Sequence, residues 1–180
     1  EEHIARTVID INDTKGNIEY EELEIIKTQE NTRAYIKIQD GCNQFCSYCI
    51  IPYVRGRIRS RKLDNIMQEV NSLASNGYKE VVLTGIHTGR YGLEQNTNLE
   101  TLLKELVKIK DIFRIRLSSI EINEITDSIF VPNSNGSILK NVLLETYTGV
   151  RCVNSPKANQ LALEIQERYD NKVIVLNVHA

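Results

Sequence analysis

The stretch Arg33-Ala34-Tyr35-Ile36-Lys37-Ile38-Gln39-Asp40-Gly41-Cys42-Asn43-Gln44-Phe45-Cys46-Ser47-Tyr48-Cys49 decides how the whole chain is read. Its first part alternates apolar and polar residues, the pattern of a strand with one buried face. Gln39-Asp40-Gly41 then breaks the strand and opens a loop in which three cysteines fall within eight residues. Downstream the period changes. Asp64 is placed to cap a helix whose Ile66, Met67, Val70, Leu73 and Ala74 share a face, and Asn76-Gly77 supplies its stop. Val81-Val82-Leu83 reads as a short buried strand, followed by a glycine-bearing loop from Gly85 to Gly92. Asn98 caps a second helix with Leu99, Leu102, Leu103, Leu106 and Ile109 inward, and Ile112 to Leu117 forms a third strand ending at Ser118-Ser119. Strands alternating with helices of this length predict an α/β fold with parallel strands.

The spacing Cys42-x3-Cys46-x2-Cys49 carries the chemistry. Soft thiolates favour zinc or an iron–sulfur cluster. A structural zinc ion wants four ligands, and no fourth Cys or His lies close in sequence: His87 is 38 residues beyond Cys49, and Cys152 is farther still. Three thiolates on a four-iron cluster leave one iron open, which suits direct binding of a small molecule.

The composition bounds the alternatives. The chain has 180 residues, 41% hydrophobic and 26% charged, with a net charge of −2, which matches a globular domain and excludes collagen-like or low-complexity classes. No apolar run approaches the roughly 20 residues of a membrane-spanning helix, and Glu1-Glu2-His3 is no signal-peptide start. With no membrane or secretion signal, a cytoplasmic location is expected, and the beginning reads as internal to something longer. Charge is segregated along the chain: residues 1–30 hold nine acidic against three basic residues, and residues 33–62 hold seven basic against one acidic. Arg55, Arg57, Arg59 and Arg61 alternate along this basic segment beside Tyr53, an arrangement suited to phosphate contact on one side of an extended strand. A solvated loop face is the plainer reading of the same run.

Together with Ile51-Pro52-Tyr53-Val54-Arg55-Gly56-Arg57, Leu83-Thr84-Gly85-Ile86-His87-Thr88-Gly89-Arg90-Tyr91-Gly92 and Arg116-Leu117-Ser118-Ser119-Ile120-Glu121, the cysteine loop resembles the radical S-adenosylmethionine core of the methylthiotransferases. Within that family, the Thr84 to Gly89 and Leu117 to Glu121 segments look most like the branch acting on N6-threonylcarbamoyladenosine beside the tRNA anticodon. The resemblance implies a partial (β/α) barrel in which Cys42, Cys46 and Cys49 hold a [4Fe–4S] cluster. The open iron would bind S-adenosylmethionine, whose one-electron cleavage gives a 5′-deoxyadenosyl radical. It further implies that Tyr48 packs near the adenine, that Thr84, Gly85 and Ile86 lie beside the methionine amino group, and that Ser118 and Ser119 face the same mouth. tRNA would be the substrate and a flavodoxin or ferredoxin the electron donor. The family carries a second cysteine triplet and an RNA-binding domain that have no counterpart in these residues, so a fragment inactive in sulfur insertion by itself is expected.

The expected organisation is an acidic lead-in at 1–32 with at most one edge strand or hairpin near Ile18 to Ile26, a partial radical S-adenosylmethionine core at 33–130, a linker at 131–139, and a βαβ tail at 140–180. The tail resembles the start of thioredoxin-like domains of outer-membrane-associated lipoproteins. Where those have Cys-x-x-Cys-Pro, this chain has Cys152-Val153-Asn154-Ser155-Pro156, which lacks a resolving thiol. A non-catalytic chimeric, redox or scaffold module is therefore the alternative to a tRNA-modifying enzyme.

Overall fold

The computed structural model describes residues 19–22, 33–121, 124, 141–148, 160, 163–164, 167 and 173–179. Five strands form one parallel sheet: β1 (Arg33–Lys37), β4 (Glu80–Thr84), β5 (Arg114–Leu117), β6 (Asn141–Thr148) and β7 (Val173–His179), hydrogen-bonded in that order. Two short strands, β2 (Gln39–Asp40) and β3 (Arg59–Ser60), make a separate antiparallel pair. The helices are α1 (Ile51–Val54), α2 (Leu63–Ser75) and α3 (Leu99–Leu106). None among the described residues is long and apolar enough to cross a membrane.

The register explains the layering. Ala34, Val81 and Ile115 stand side by side, as do Ile36, Leu83 and Leu117, and all six are buried. Ile66, Val70 and Leu73 of α2 and Leu99, Leu102, Leu103 and Leu106 of α3 belong to the same core. Each of the valine, leucine and isoleucine side chains contributes roughly 1.5–3 kcal/mol by leaving water. On the opposite face, where Val82 is also buried, Glu80 pairs with Arg114 at 3.2 Å and Arg116 at 3.1 Å, with Arg33 at 3.9 Å.

The local signals hold in most places. Asn98 caps α3, its Oδ1 accepting from Thr101 N at 2.9 Å, although the helix stops at Leu106 and not at Ile109. Gly77 follows α2 with φ of +91°, the left-handed stop. Asp64 is not the cap. Lys62 holds that position without a side-chain bond, and Asp64 sits in the first turn, where its charge still faces the positive end of the helix.

Two expectations about organisation fall largely outside the described residues. Residues 131–139 lie outside the described residues, and the strands on either side of them, β5 and β6, pair directly in parallel. Of the lead-in only Glu19–Glu22 is described, and it contains no strand. Cys152 and Pro156 also lie outside the described residues.

Candidate functional site

All the parallel strands end at one edge, and the loops leaving β1, β4 and β5 meet there. The cysteine loop is closed at its base by β2 and β3, with Gln39 opposite Ser60 and Asp40 opposite Arg59. Gly41 must be glycine: its φ is +71°, and a Cβ would fall 2.0 Å from the Arg57 carbonyl oxygen. Above this neck Cys42 N donates to Gly56 O at 3.1 Å, and Ile58 N donates to Asn43 Oδ1 at 3.1 Å.

Asp40 is the electrostatic centre of the neck. Its carboxylate accepts from Gly41 N at 2.8 Å, Lys37 Nζ at 2.8 Å and Arg59 Nη2 at 2.7 Å. Burial pushes the Asp40 carboxyl up, but these three donors more than offset it and hold it below the ordinary aspartate range.

Cys42, Cys46 and Cys49 are all partly exposed and line one open cavity of about 330 Å³, with Tyr48, Ile86 and Ser119 also on its wall. Cys42 Sγ accepts from Gln44 N at 3.4 Å and lies 3.8 Å from His87 Nδ1. Cys46 Sγ donates to Gln44 Oε1 at 3.7 Å. Among the described residues no three His, Cys, Asp or Glu side chains converge as they would on a single ion. The donors on this cavity are three soft thiols, with His87 and Glu121 also in its lining, a thiol-rich set of the kind that holds iron–sulfur clusters.

The other sequence-derived positions divide. Tyr48 is at the rim, 91% exposed. Ile86 and Ser119 reach the cavity, and Ser119 has φ of +59°. Thr84, Gly85 and Ser118 are not in its lining. Thr84 O accepts from Ile38 N at 2.9 Å, a Cβ on Gly85 would stand 2.9 Å from Gln39 Oε1, and Ser118 O accepts from Thr88 Oγ1 at 2.7 Å, so these three build the frame behind the wall.

The arginines do not form one basic side. Arg55 and Arg57 are exposed, Arg57 stacking over Phe45 at 4.6 Å. Arg59 is turned inward onto Asp40 and the Arg55 carbonyl oxygen. Arg61 is 1% exposed and is paired with Glu69 of α2 and with Glu22. Its N–H bonds to Ile38 O at 2.8 Å, which fixes its backbone beside β1, and the buried Glu69 draws the side chain in. The expectation of phosphate contact therefore does not extend to Arg61, because a guanidinium so enclosed has no path to a polyanion.

Gln39 and Glu124 escaped the sequence reading. Gln39 is fully buried, donating to Asp40 O and Gly41 O while accepting from His87 N at 2.7 Å. Its position just before the glycine of the neck was the available signal. Glu124 is 37 residues from the histidine it touches, and nothing local marks it.

Residues 36–129, just over half of the chain, match the family model of the radical SAM superfamily. The threonylcarbamoyladenosine tRNA methylthiotransferase MtaB of Bacillus subtilis is 48% identical over 112 residues, 61% of this chain and 25% of that protein. The tRNA-2-methylthio-N(6)-dimethylallyladenosine synthase of Acetivibrio thermocellus is 38% identical over 125 residues, 68% of this chain and 26% of that protein. This chain thus spans about a quarter of the length of the curated relatives it matches. In fold it is similar to the radical S-adenosylmethionine methyltransferase TsrM from Kitasatospora setae, with a TM-score of 0.59 and 14% identity over 81% of this chain and 30% of the other. With a sheet of that kind and a cysteine loop at its carboxyl edge, the chain belongs to the radical SAM superfamily.

Proposed function

We propose that residues 33–130 are the cofactor-binding unit of a tRNA methylthiotransferase acting on N6-threonylcarbamoyladenosine, working in the cytoplasm with a flavodoxin or ferredoxin as electron donor. The observation that carries this reading is the meeting of Cys42, Cys46 and Cys49 on one cavity whose wall also includes Ile86 and Ser119. The B. subtilis relative, 48% identical across this region, supports the choice of substrate class.

In this reading the three thiolates hold a [4Fe–4S] cluster. The cluster and S-adenosylmethionine, when bound, supply the one-electron chemistry that breaks a carbon–sulfur bond of the sulfonium. The chain's own residues do the positioning. Asp40 and Gly41 hold the neck of the loop, so the thiolates are presented from a fixed base. Ile86 gives the cavity an apolar wall, Ser119 offers a hydroxyl at its edge, and the exposed Tyr48 ring is free to close over an adenine. Thr84, Gly85 and Ser118 keep that wall in place from behind. Arg55 and Arg57 stand beside the cavity for phosphate contact, whereas Arg59 and Arg61 serve the neck.

Reconstituted anaerobically with iron and sulfide, then given S-adenosylmethionine and dithionite, the chain is expected to release 5′-deoxyadenosine, with none in a control lacking iron. A chain that has loaded iron yet releases no nucleoside over the control would overturn the cofactor assignment. For RNA, the logarithm of affinity for tRNA should fall linearly with the logarithm of salt, and changing Arg55 and Arg57 together to glutamine should flatten that slope by about two units. An unchanged slope would remove these two side chains from the interface.

A further inference from the structure

Large apolar side chains left facing water are gathered in one place. Of the nine such residues among those described, five, Phe45, Tyr48, Ile50, Tyr53 and Val54, fall within ten positions of the cysteine loop and α1. Apolar side chains grouped in this way on a surface mark a contact site. Two of them form an ordered group with a cation. Phe45 and Tyr53 pack edge to face, with ring centres 5.4 Å apart and planes at 80°, and the Arg57 guanidinium carbon stands 4.6 Å from the centre of the Phe45 ring. Phe45 keeps this place with φ of +48°, a left-handed conformation that is strained for a bulky side chain. Tyr53 remains 64% exposed, and Arg57 is exposed beside it. The surrounding charge has one sign: between Asp40 and Asp64 the sequence has five basic residues and no acidic one. Asp40 lies 4.0 Å from Arg55, but Lys37 and Arg59 already bind its carboxylate, which leaves Arg55 and Arg57 as positive charge at the surface. Glu121, on the cavity wall, accepts from Gln44 Nε2 at 3.4 Å.

We propose that Tyr53 and Arg57, braced by Phe45, form a stacking platform for an unpaired nucleotide next to the one received at the cysteine cavity, so that the chain selects single-stranded RNA over paired stems. The inference deepens the tRNA reading above and rests on it. A partner that matches aromatic faces and arginines together must offer flat rings and negative charge together, which an unpaired nucleotide does with its base and its phosphate. A paired stem offers the same phosphates but hides its base faces in its own stack. Position gives the platform its use. Phe45 lines the cysteine cavity and also touches both Tyr53 and Arg57, so a base resting on these two side chains adjoins the cavity mouth. Holding one nucleotide there keeps its neighbour in reach of the cavity, which is a gain in orientation rather than in chemistry. Stacking of this kind tolerates any base, since each has a π-face.

The test measures binding of the full chain to two fluorescently labelled RNA probes, an unstructured adenine-rich strand and the blunt duplex of that strand, by anisotropy over a range of salt, with each form checked for fold by circular dichroism. The parent should bind the strand more tightly than the duplex. Tyr53→Ala should weaken binding of the strand roughly five- to hundredfold, the range that one base stacked on an aromatic ring carries. Its salt slope should stay at the parent value, because the slope counts phosphate contacts. Tyr53→Phe keeps the ring and should bind as the parent does. Phe113 supplies a control of the same chemistry in another place: it is 65% exposed with Lys79 5.4 Å over its ring, but it precedes β5, at the opposite edge of the sheet from the cysteine loop. Phe113→Ala should keep the parent affinity. Parent affinity in Tyr53→Ala overturns the proposal, and so does a parent that binds the duplex as tightly as the strand. If Tyr53→Ala does not fold, Tyr53→Leu decides, since leucine keeps apolar bulk without a π-face: weakened binding supports the proposal and parent affinity overturns it. A Tyr53→Ala form that binds RNA as the parent does but no longer accepts electrons from a flavodoxin assigns this surface to a protein partner and overturns the proposal. A parent chain that binds neither these probes nor tRNA overturns the tRNA reading itself, and this inference with it.

Discussion

Replacing Cys42, Cys46 and Cys49 together by alanine is expected to abolish iron loading, from about one four-iron cluster per chain to background, and to abolish release of 5′-deoxyadenosine with it. The argument is one of donor chemistry. A cluster of this type is held by thiolates, and among the described residues these are the three thiols, all partly exposed and all on one cavity. Their removal leaves His87, still held at Nε2 by Glu124, with Glu121 and Tyr48 as the titratable groups on that wall, and none of them is a thiolate. The variant should stay folded. The loop's hydrogen bonds to Gly56, Asn43 and Asp40 use backbone N–H groups that these substitutions retain, and none of the three cysteines belongs to the core. Iron and sulfide are measured chemically after gel filtration, with Cys152→Ala as the control that keeps its iron. Equal iron in the triple variant and the parent would sink the assignment, and so would loss of iron accompanied by loss of fold in the triple variant while single variants load fully.

How much of this was legible in the sequence follows from how far each interaction reaches. The alternation in Ala34 to Ile38, the buried run at Val81 to Leu83 and the leucine stripe of α3 announce their elements, because period and burial are local properties. Gly41 is legible as a turn residue, but its actual reason, a carbonyl of Arg57 two ångströms from where a Cβ would stand, is not. The cysteines locate the site through spacing alone. The arginine run misleads for a physical reason. Alternation along a strand predicts one shared side only while the chain continues straight. Here β3 lasts two residues, and the following turn into α2 sends Arg59 to Asp40 and Arg61 into the interior. The Glu124, His87 and Gln39 contacts join residues 37 and 48 positions apart, and no single-sequence pattern encodes such distances.

The second large effect belongs to Arg61. Changing Arg61 to methionine is expected to destabilise the chain by about 3–5 kcal/mol, the usual consequence of stranding one partner of a buried ion pair. Its guanidinium is bound by Glu69, whose side chain is 4% exposed, and by Glu22 at 2.6 Å, which retains some contact with water. Removing the cation takes the Arg61 partner from Glu69, on the inward face of α2, while Glu22 can rehydrate, so the larger share of the loss falls on Glu69. For a chain of this size that amounts to a fall in melting temperature on the order of 10 °C, read by calorimetry or circular dichroism. The double variant Arg61→Met with Glu69→Leu should recover most of the loss, because apolar residues of similar volume fill the same space without a buried charge. A methionine variant within about 1 kcal/mol of the parent would show that the pair is not enclosed as described. The neck should feel the change as well. Arg61 N and O bond to Ile38 O and Tyr91 Oη, and the adjacent Ser60 holds Gly92 and Gln95, so this short segment ties β1, the loop after β4 and the base of the cysteine loop together. A destabilised Arg61 should therefore reduce iron loading at temperatures well below global unfolding, whereas Arg55→Gln, exposed and only 4.0 Å from Asp40 at its nearest approach, should leave both stability and loading close to the parent.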